Sequence, residues 1–342
     1  MAENKGLGLQ ETKGSFQISG VVIGTQSDKF YKEIMTKNNK PMRLINFGVN
    51  VDKDKTVYLG LNGMERDTVV FSKQEGEGKN KKTVTKKVAW KDRFTFSEKD
   101  YKPLGVNVGV TKVVGKDGKE VNNKKVLVEY DACKEIGDNL VDDKSVFVKG
   151  KLEFSTYNGK HQTKFIPSQV SLCKDIDFET DGFTPTADFK QTIIFMGITK
   201  GENNKFIVSA KIVGYNSIED AEFIELDEKR ANLFKKKLKP YNAITIGGII
   251  NVEKDTETVT ENDNDGWGEI SMDKVKSPTV RELIITGADP TSIDTETYSE
   301  AIIEEALSKI KSSETAKKDY GDSEDEWGAV DTSKATEEDD EW

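Results

Sequence analysis

Alternating apolar and polar residues, broken at short intervals by Asn-Gly and Asp-Gly pairs, run through the first half of this chain. Ser15–Gly24 alternates and ends in glycine, and Arg43–Val51 and Thr56–Leu61 follow the same rule. A period of two puts every second side chain on one face, so these segments predict antiparallel strands with one buried face. Asn62-Gly63, Asp117-Gly118 and Asn158-Gly159 are expected to turn hairpins, because both residue types tolerate positive φ. The second pair is expected to join Val106–Gly115 to Lys125–Asp131, and the third to join Val146–Phe154 to Gln162–Leu172. Between them Asp131–Val141 sets Cys133, Ile136 and Leu140 roughly one per turn, which predicts a short helix. Five or more strands with a helix before a late strand predict a mainly β protein built on a small Greek-key barrel.

The second half repeats the theme. Gln191–Thr199, Lys205–Gly214, Glu222–Leu226 and Ala243–Asn251 read as strands. Asp227–Leu238 reads as a helix with Asp227 as N-cap and Pro240 beyond its end. Val126–Ala132 followed by Val146–Glu153 lies over Glu222–Glu228 followed by Ile244–Asn251; the second pair is offset by 98 residues and sets Gly150 on Gly248. This suggests an internal repeat. Thr256–Lys276 is polar and reads as a long loop, Arg281–Gly287 as a closing strand, and Pro290–Lys311 as containing a helix with Ile302, Ile303, Ala306, Leu307 and Ile310 on one side. Ser312–Trp342 has no periodicity and almost no aliphatic residues, so a disordered acidic tail is expected.

Hydrophobic residues make up only 35% of the 342 positions and charged residues 33%, with a net charge of −10. That average hides a gradient. Residues 1–174 hold 32 Lys/Arg and 22 Asp/Glu (32 − 22 = +10), residues 175–311 hold 16 and 27 (16 − 27 = −11), and residues 312–342 hold 3 and 12 (3 − 12 = −9). A basic front and an acidic end suggest nucleic-acid contact plus an interaction tail.

Other classes find little support. The start has no apolar stretch of a secretory leader, and no apolar run approaches membrane-spanning length. Cys133 and Cys173 are far apart and read as ordinary thiols of a reducing cytoplasm. With His161 alone and no CxxC, no zinc or other metal site and no cofactor is expected. Asp263-Asn264-Asp265-Gly266 hints at a calcium loop, but counting from Glu261 the twelfth position is Met272, not the bidentate Glu. Phosphate-loop, GxSxG and HExxH motifs are missing, so no enzymatic activity is expected.

A protein that coats single strands needs cations for phosphates and flat rings for bases. The basic half supplies both. Lys81, Lys82, Lys86, Lys87, Lys91 and Arg93 surround Trp90, with Phe94, Phe96 and Tyr101 close behind. Phe30, Tyr31, Lys32, Lys37, Lys40 and Arg43 form a second mixed cluster, and Tyr58, Tyr157, Lys160 and Lys164 are candidates for the same barrel face. A lysine run is also what a solvated loop looks like, and Phe94 and Phe96 equally suit a core. The joint occurrence in one basic segment favours binding.

Asn139–Leu172 reads as helix end, strand, hairpin and strand, with Val146, Val148, Gly150 and Leu152 in an alternating pattern and Lys149 and Lys151 flanking the glycine. This stretch resembles the corresponding part of bacterial and phage single-stranded DNA-binding proteins of the OB-fold type. The resemblance implies a basic OB-like barrel with insertions over 10–176; the internal repeat extends this to a second, acidic OB-like domain with helices over 187–311, followed by the tail over 312–342. The resemblance also implies that Tyr157 stacks on a base. The last residues, Glu338-Asp339-Asp340-Glu341-Trp342, are similar to the acidic tails by which that family docks replication and repair partners. Trp267 and Trp327, each after acidic residues, are candidate extra docking points.

The expected function is sequence-tolerant single-stranded DNA binding in replication, recombination or repair. The tail would recruit a polymerase, helicase or primase, with homo-oligomers possible. The expected compartment is the cytoplasm, that of a bacterial host if the chain is phage-encoded. The alternative is a phage structural or assembly protein with an acidic docking tail; a carboxylate metal nuclease is a third class.

Overall fold

Gly14–Ile23, strand β1, buries Phe16, Ile18, Gly20 and Val22 and turns the residues between them outward, the period of two read from the sequence. The computed structural model describes residues 6–53, 55–76, 81–157, 160–254 and 279–319. After β1 come β2 (Tyr31–Met35), β3 (Pro41–Asp52), β4 (Lys55–Met64), β5 (Thr68–Glu75), β6 (Lys82–Ala89), β7 (Lys102–Pro103), β8 (Val106–Gly109), β9 (Lys112–Val114), β10 (Glu120–Asn122) and β11 (Lys125–Leu127). Helix α1 (Glu129–Asn139), β12 (Ser145–Tyr157) and β13 (Lys160–Leu172) complete the first half. The second half holds β14 (Thr186–Lys200), β15 (Phe206–Val213), β16 (Ile218–Glu225), α2 (Glu228–Lys237), β17 (Asn242–Lys254), β18 (Thr279–Asp294) and α3 (Glu300–Asp319). The protein is mainly β.

The second half is a closed OB-like barrel. Strand β14 pairs with β15, β15 with β16, β16 with β18 in parallel, β18 with β17, and β17 returns to β14. Helix α2 bridges β16 and β17, and Asp227 caps it by accepting from the backbone N–H groups of Lys229 (2.8 Å) and Arg230 (3.3 Å). The first half follows the same route with more material. Strand β1 pairs with β3 and β12, β3 with β4, and β12 with β13, which takes β8 alongside in parallel. Strand β4 lies against β13, and α1 packs across β3 and β4.

The two halves share one sheet, because β1 pairs antiparallel with β14 and sets Phe16 opposite Phe189. On its other side Phe16 faces Gly150, and Phe189 faces Gly248. Both glycines sit at a register shift, between Lys149 and Gly150 in one barrel and between Gly247 and Gly248 in the other. A Cβ on Gly150 would lie 2.5 Å from Phe16 Cε1, and one on Gly248 would lie 2.8 Å from Phe189 Cε1. The repeat read from the sequence is therefore structurally matched at this point: each barrel needs a glycine where the ring of its first strand, β1 or β14, faces β12 or β17.

The other half of that alignment shifts. Strand β11 precedes α1 as β16 precedes α2, but the strand that pairs in parallel as β16 does is β8. The expected strand Val106–Gly115 is split into β8 and β9, which take different partners. The Asp117-Gly118 turn closes the β9–β10 hairpin, with Gly118 at φ +74°.

Asn62-Gly63 is not a turn. Both residues lie inside β4, paired with Leu44 and Arg43, and the chain turns instead between Asp52 and Lys55. The glycine serves a close approach: a Cβ on Gly63 would lie 2.0 Å from the backbone nitrogen of Tyr130 at the start of α1. Asn158-Gly159 lies outside the described residues, although β12 and β13 pair up to Tyr157 and Lys160 on either side of it.

Helix α3 starts at Glu300 and runs to Asp319, beyond the expected start of the tail. It buries Ile303 and Ala306, and Ile303 packs with Tyr298 on Ile194, Val213 and Ala243. The Thr256–Lys276 segment, Trp267, Trp327 and the tip Glu338, Asp339, Asp340, Glu341 and Trp342 lie outside the described residues. Among the described residues, no helix is long and apolar enough to cross a membrane.

Candidate nucleic-acid interface

The insertion between β4 and β8 carries Lys81, Lys82, Lys86, Lys87 and Lys91 of the lysines singled out in the sequence. Its hairpin, β5 and β6, pairs Phe71 with Lys86 and Val69 with Val88, and β7 adds Pro103 opposite Phe71. One face of this small sheet buries Val69, Phe71 and Val88 with Val128, and Trp90, Phe96, Tyr101 and Tyr130 close it off. Phe96 meets Phe71 at 4.7 Å between ring centres and Tyr101 at 6.1 Å. These two rings therefore belong to a satellite core. Lys73 lies 4.8 Å from the centre of the Tyr101 ring, and Lys86 lies 5.3 Å from that of Phe96 and pairs with Glu98.

Where the insertion meets the barrel, one carboxylate organises two cations and two rings. Asp131, in the first turn of α1, accepts from Arg93 Nε at 2.7 Å and from Nη2 at 3.1 Å, and Arg43 Nη1 lies 3.8 Å away. Arg93 lies over the Trp90 ring at 4.2 Å and over the Phe94 ring at 4.3 Å, while Arg43 lies over the Tyr130 ring at 3.9 Å. Trp90 and Tyr130 meet edge to face at 5.6 Å. A planar guanidinium stacked on a ring and forked onto a carboxylate has few alternative positions, so the cluster is preorganised. Phe94 stands at its edge, 67% exposed.

Arg43 also donates to Glu33 at 2.8 Å, and Tyr31 donates its hydroxyl to the same carboxylate. Burial, then the bond to Glu33, holds the Tyr31 phenol above its usual range. The Tyr31 hydrogen bond, with Arg43 behind it, holds Glu33 below the carboxylate range.

The structure gathers part of the predicted set. Lys82, Lys86, Lys87, Trp90, Lys91, Arg93 and Phe94 follow one another along β6 and the turn after it, Lys81 directly precedes β6, and Tyr31 and Arg43 join through Asp131 and Glu33. Among the described residues Lys81, Lys82, Lys87 and Lys91 make no ion pair, whereas Lys40 pairs with Asp67 at 3.4 Å. The rest lies elsewhere. Lys149 and Lys151 project from the outer face of β12, Lys149 at 5.3 Å from the Phe147 ring and Lys151 at 4.0 Å from Glu153, and half-buried Lys164 stands across from Glu153. Tyr58 is 52% exposed on β4, with Arg281 of the second barrel 5.5 Å from its ring centre. Phe30 belongs to the main core. The side chains of Tyr157 and Lys160 lie outside the described residues.

Sequence reasoning missed Tyr130 and Asp131. Tyr130 and Asp131 open a helix far along the chain from the residues they organise, and no local pattern marks that meeting.

A sequence profile of the family described as YorF matches residues 76–323, more than half of the chain. No curated protein matches it. Among solved structures, the wild-type single-stranded DNA binding protein from Thermus aquaticus overlaps with a TM-score of 0.37 at 8% identity, over 82% of this chain and 93% of that one. A deletion mutant of the same protein gives 0.38 at 8% identity, over 82% and 94%. At that overlap neither identifies a site or a ligand in this chain.

Proposed function

The chain belongs to the YorF family, and from that footing we propose that it binds single-stranded DNA without strong dependence on sequence. One observation carries the reading: the Asp131 cluster, in which Arg43 and Arg93 hold Tyr130 and Trp90 in place beside exposed Phe94 and a run of lysines free of ion pairs among the described residues. Rings that need no reordering and cations left for phosphates are the two parts that single-strand binding requires. Trp90, Phe94 and Arg93 with Lys82, Lys87 and Lys91 form the centre of the proposed path; Tyr31, Lys40, Arg43, Lys81 and Lys86 flank it.

Two finer readings belong to the same proposal. The chain acts in replication or recombination through two functional units, 10–176 and 187–311. Its acidic end, 312–342, recruits a replication partner and competes with DNA for the cationic surface.

Fluorescence anisotropy of labelled oligo-dT tests the core of this reading. Binding at low salt that weakens steeply as salt rises, through counterion release, is expected. Removal of residues 320–342 should tighten it. Phe94→Ala should weaken it by a factor corresponding to about 1–3 kcal/mol, the worth of one stacked base. Lack of low-salt binding by the truncated chain would sink the reading.

A further inference from the structure

Beside the ring cluster lies a cleft of about 230 Å³ between the insertion and the start of α1. Trp90 and Tyr130 wall it, Val70 and Leu104 line it, and Arg66 and Glu129 both reach it. Arg66 is exposed and Glu129 half-buried, and neither side chain makes an ion pair or a hydrogen bond among the described residues. A guanidinium and a carboxylate therefore line one cleft without pairing with each other.

We propose that this cleft takes one unpaired guanine of a bound single strand. The inference rests on the single-strand reading above and deepens it, because it predicts a preferred base at one point of an otherwise tolerant path. The volume is below the roughly 300–1,000 Å³ of pockets for drug-sized ligands, which suits a single flat base. Guanine offers two acceptors, O6 and N7, on one edge and two donors, N1–H and the 2-amino group, on another. A guanidinium donates to the first edge in fork geometry, and a carboxylate, acceptor only, receives the second. The other bases match less well. Thymine flanks its one pairing-edge donor with two carbonyls that repel a carboxylate. Cytosine and adenine each set a ring-nitrogen acceptor beside their amino group. The apolar faces of Trp90, Tyr130, Val70 and Leu104 serve the rings of the base.

The test uses the full chain carrying W267F, W327F and W342F, which leaves Trp90 as the sole tryptophan. Oligo-dT, an alternating dG/dT oligomer of equal length, and guanosine monophosphate are titrated at low salt while Trp90 fluorescence is followed. The alternating oligomer should bind about tenfold more tightly than oligo-dT, the worth of one hydrogen-bonded charge. Glu129→Gln should remove that preference, because an amide also donates to thymine carbonyls and so keeps or gains oligo-dT affinity. Arg66→Gln, at an exposed position outside the core, should lose the same preference and serves if the first variant folds poorly. Equal affinity for the two oligomers in the parent, or a preference that survives both variants, overturns the pocket while salt-dependent oligo-dT binding leaves the broader reading standing. Guanosine monophosphate binding as tightly as the alternating oligomer would assign the cleft to a free nucleotide and overturn a strand-borne guanine. Binding of neither oligomer sinks both readings.

Discussion

Asp131 holds Arg93 by a two-pronged hydrogen bond, 2.7 Å to Nε and 3.1 Å to Nη2, with its side chain only 10% exposed. This one carboxylate ties the insertion to the barrel, because Arg93 follows β6 and Asp131 lies in α1. Asp131→Ala should therefore leave the largely buried Arg93 guanidinium without its anion, while Arg43 keeps Glu33, and cost about 3–5 kcal/mol of unfolding free energy. Denaturant titration reads that loss. Lys40→Ala, which breaks an exposed pair, should stay within about 0.5 kcal/mol. Comparable effects of the two changes would show that Asp131 is not the anchor.

The two matched glycines predict a matched defect. Gly150→Ala and Gly248→Ala each place a methyl about 2 Å from a partner-strand carbonyl, 2.0 Å from Ile166 O and 1.9 Å from Ile284 O. Strand separation is the only relief, so each should destabilise by at least the roughly 1–3 kcal/mol typical of overpacking. Gly287→Ala, where nothing lies within 4 Å, should be neutral or raise stability by about 0.4–1 kcal/mol through the unfolded chain. Thermal unfolding of the three variants decides whether crowding or glycine loss itself matters.

Arg230 anchors α2 to the second barrel. It donates to the fully buried Glu225 at 2.6 and 2.9 Å, and to the carbonyls of Thr286 at 2.8 Å and Ile285 at 3.2 Å. Arg230→Ala should cost about 3–5 kcal/mol, because Glu225 is left as an uncompensated buried charge. Restoring much of that stability in the double variant Arg230→Ala with Glu225→Ala would separate the pair from mere packing; additive losses would count against it.

The two thiols should differ in reactivity. Burial, then the nearby Glu129 charge, pushes the Cys133 thiol from 9.0 up to about 12. Cys173 is also raised, by burial first, but remains half-buried. A disulfide reagent at pH 8 should titrate one thiol in the folded protein, slowly, and both in denaturant, with Cys173→Ser abolishing the native reaction. The sign for stability follows: between pH 9.0 and about 12 the unfolded chain loses the Cys133 proton first, so this group's contribution falls as pH rises through that window. A Cys133→Ala variant with the same alkaline slope as the parent would contradict it.

What the sequence determined by itself is local. Period-two alternation placed β1, β3, β12 and β17, the Asp227 cap and Pro240 bounded α2, and the charge gradient put the cations in the first half. These features depend on nearest neighbours along the chain, where pattern and physics coincide. Tertiary structure decided the rest. Asn62-Gly63 has the chemistry of a turn, yet Gly63 stays in a strand because the backbone of Tyr130 passes too close for any side chain. Phe96 and Tyr101 have the chemistry of base-stacking rings, yet they close the core that the insertion must build for itself, while Phe94 remains outside. Asp131, which assembles Arg43, Arg93, Trp90 and Tyr130, stands in the sequence as one more acidic residue among 61. Apart from its neighbour Tyr130, these residues are separated from it by whole strands, and only the closing of the barrel against its insertion brings those charges and rings to one place.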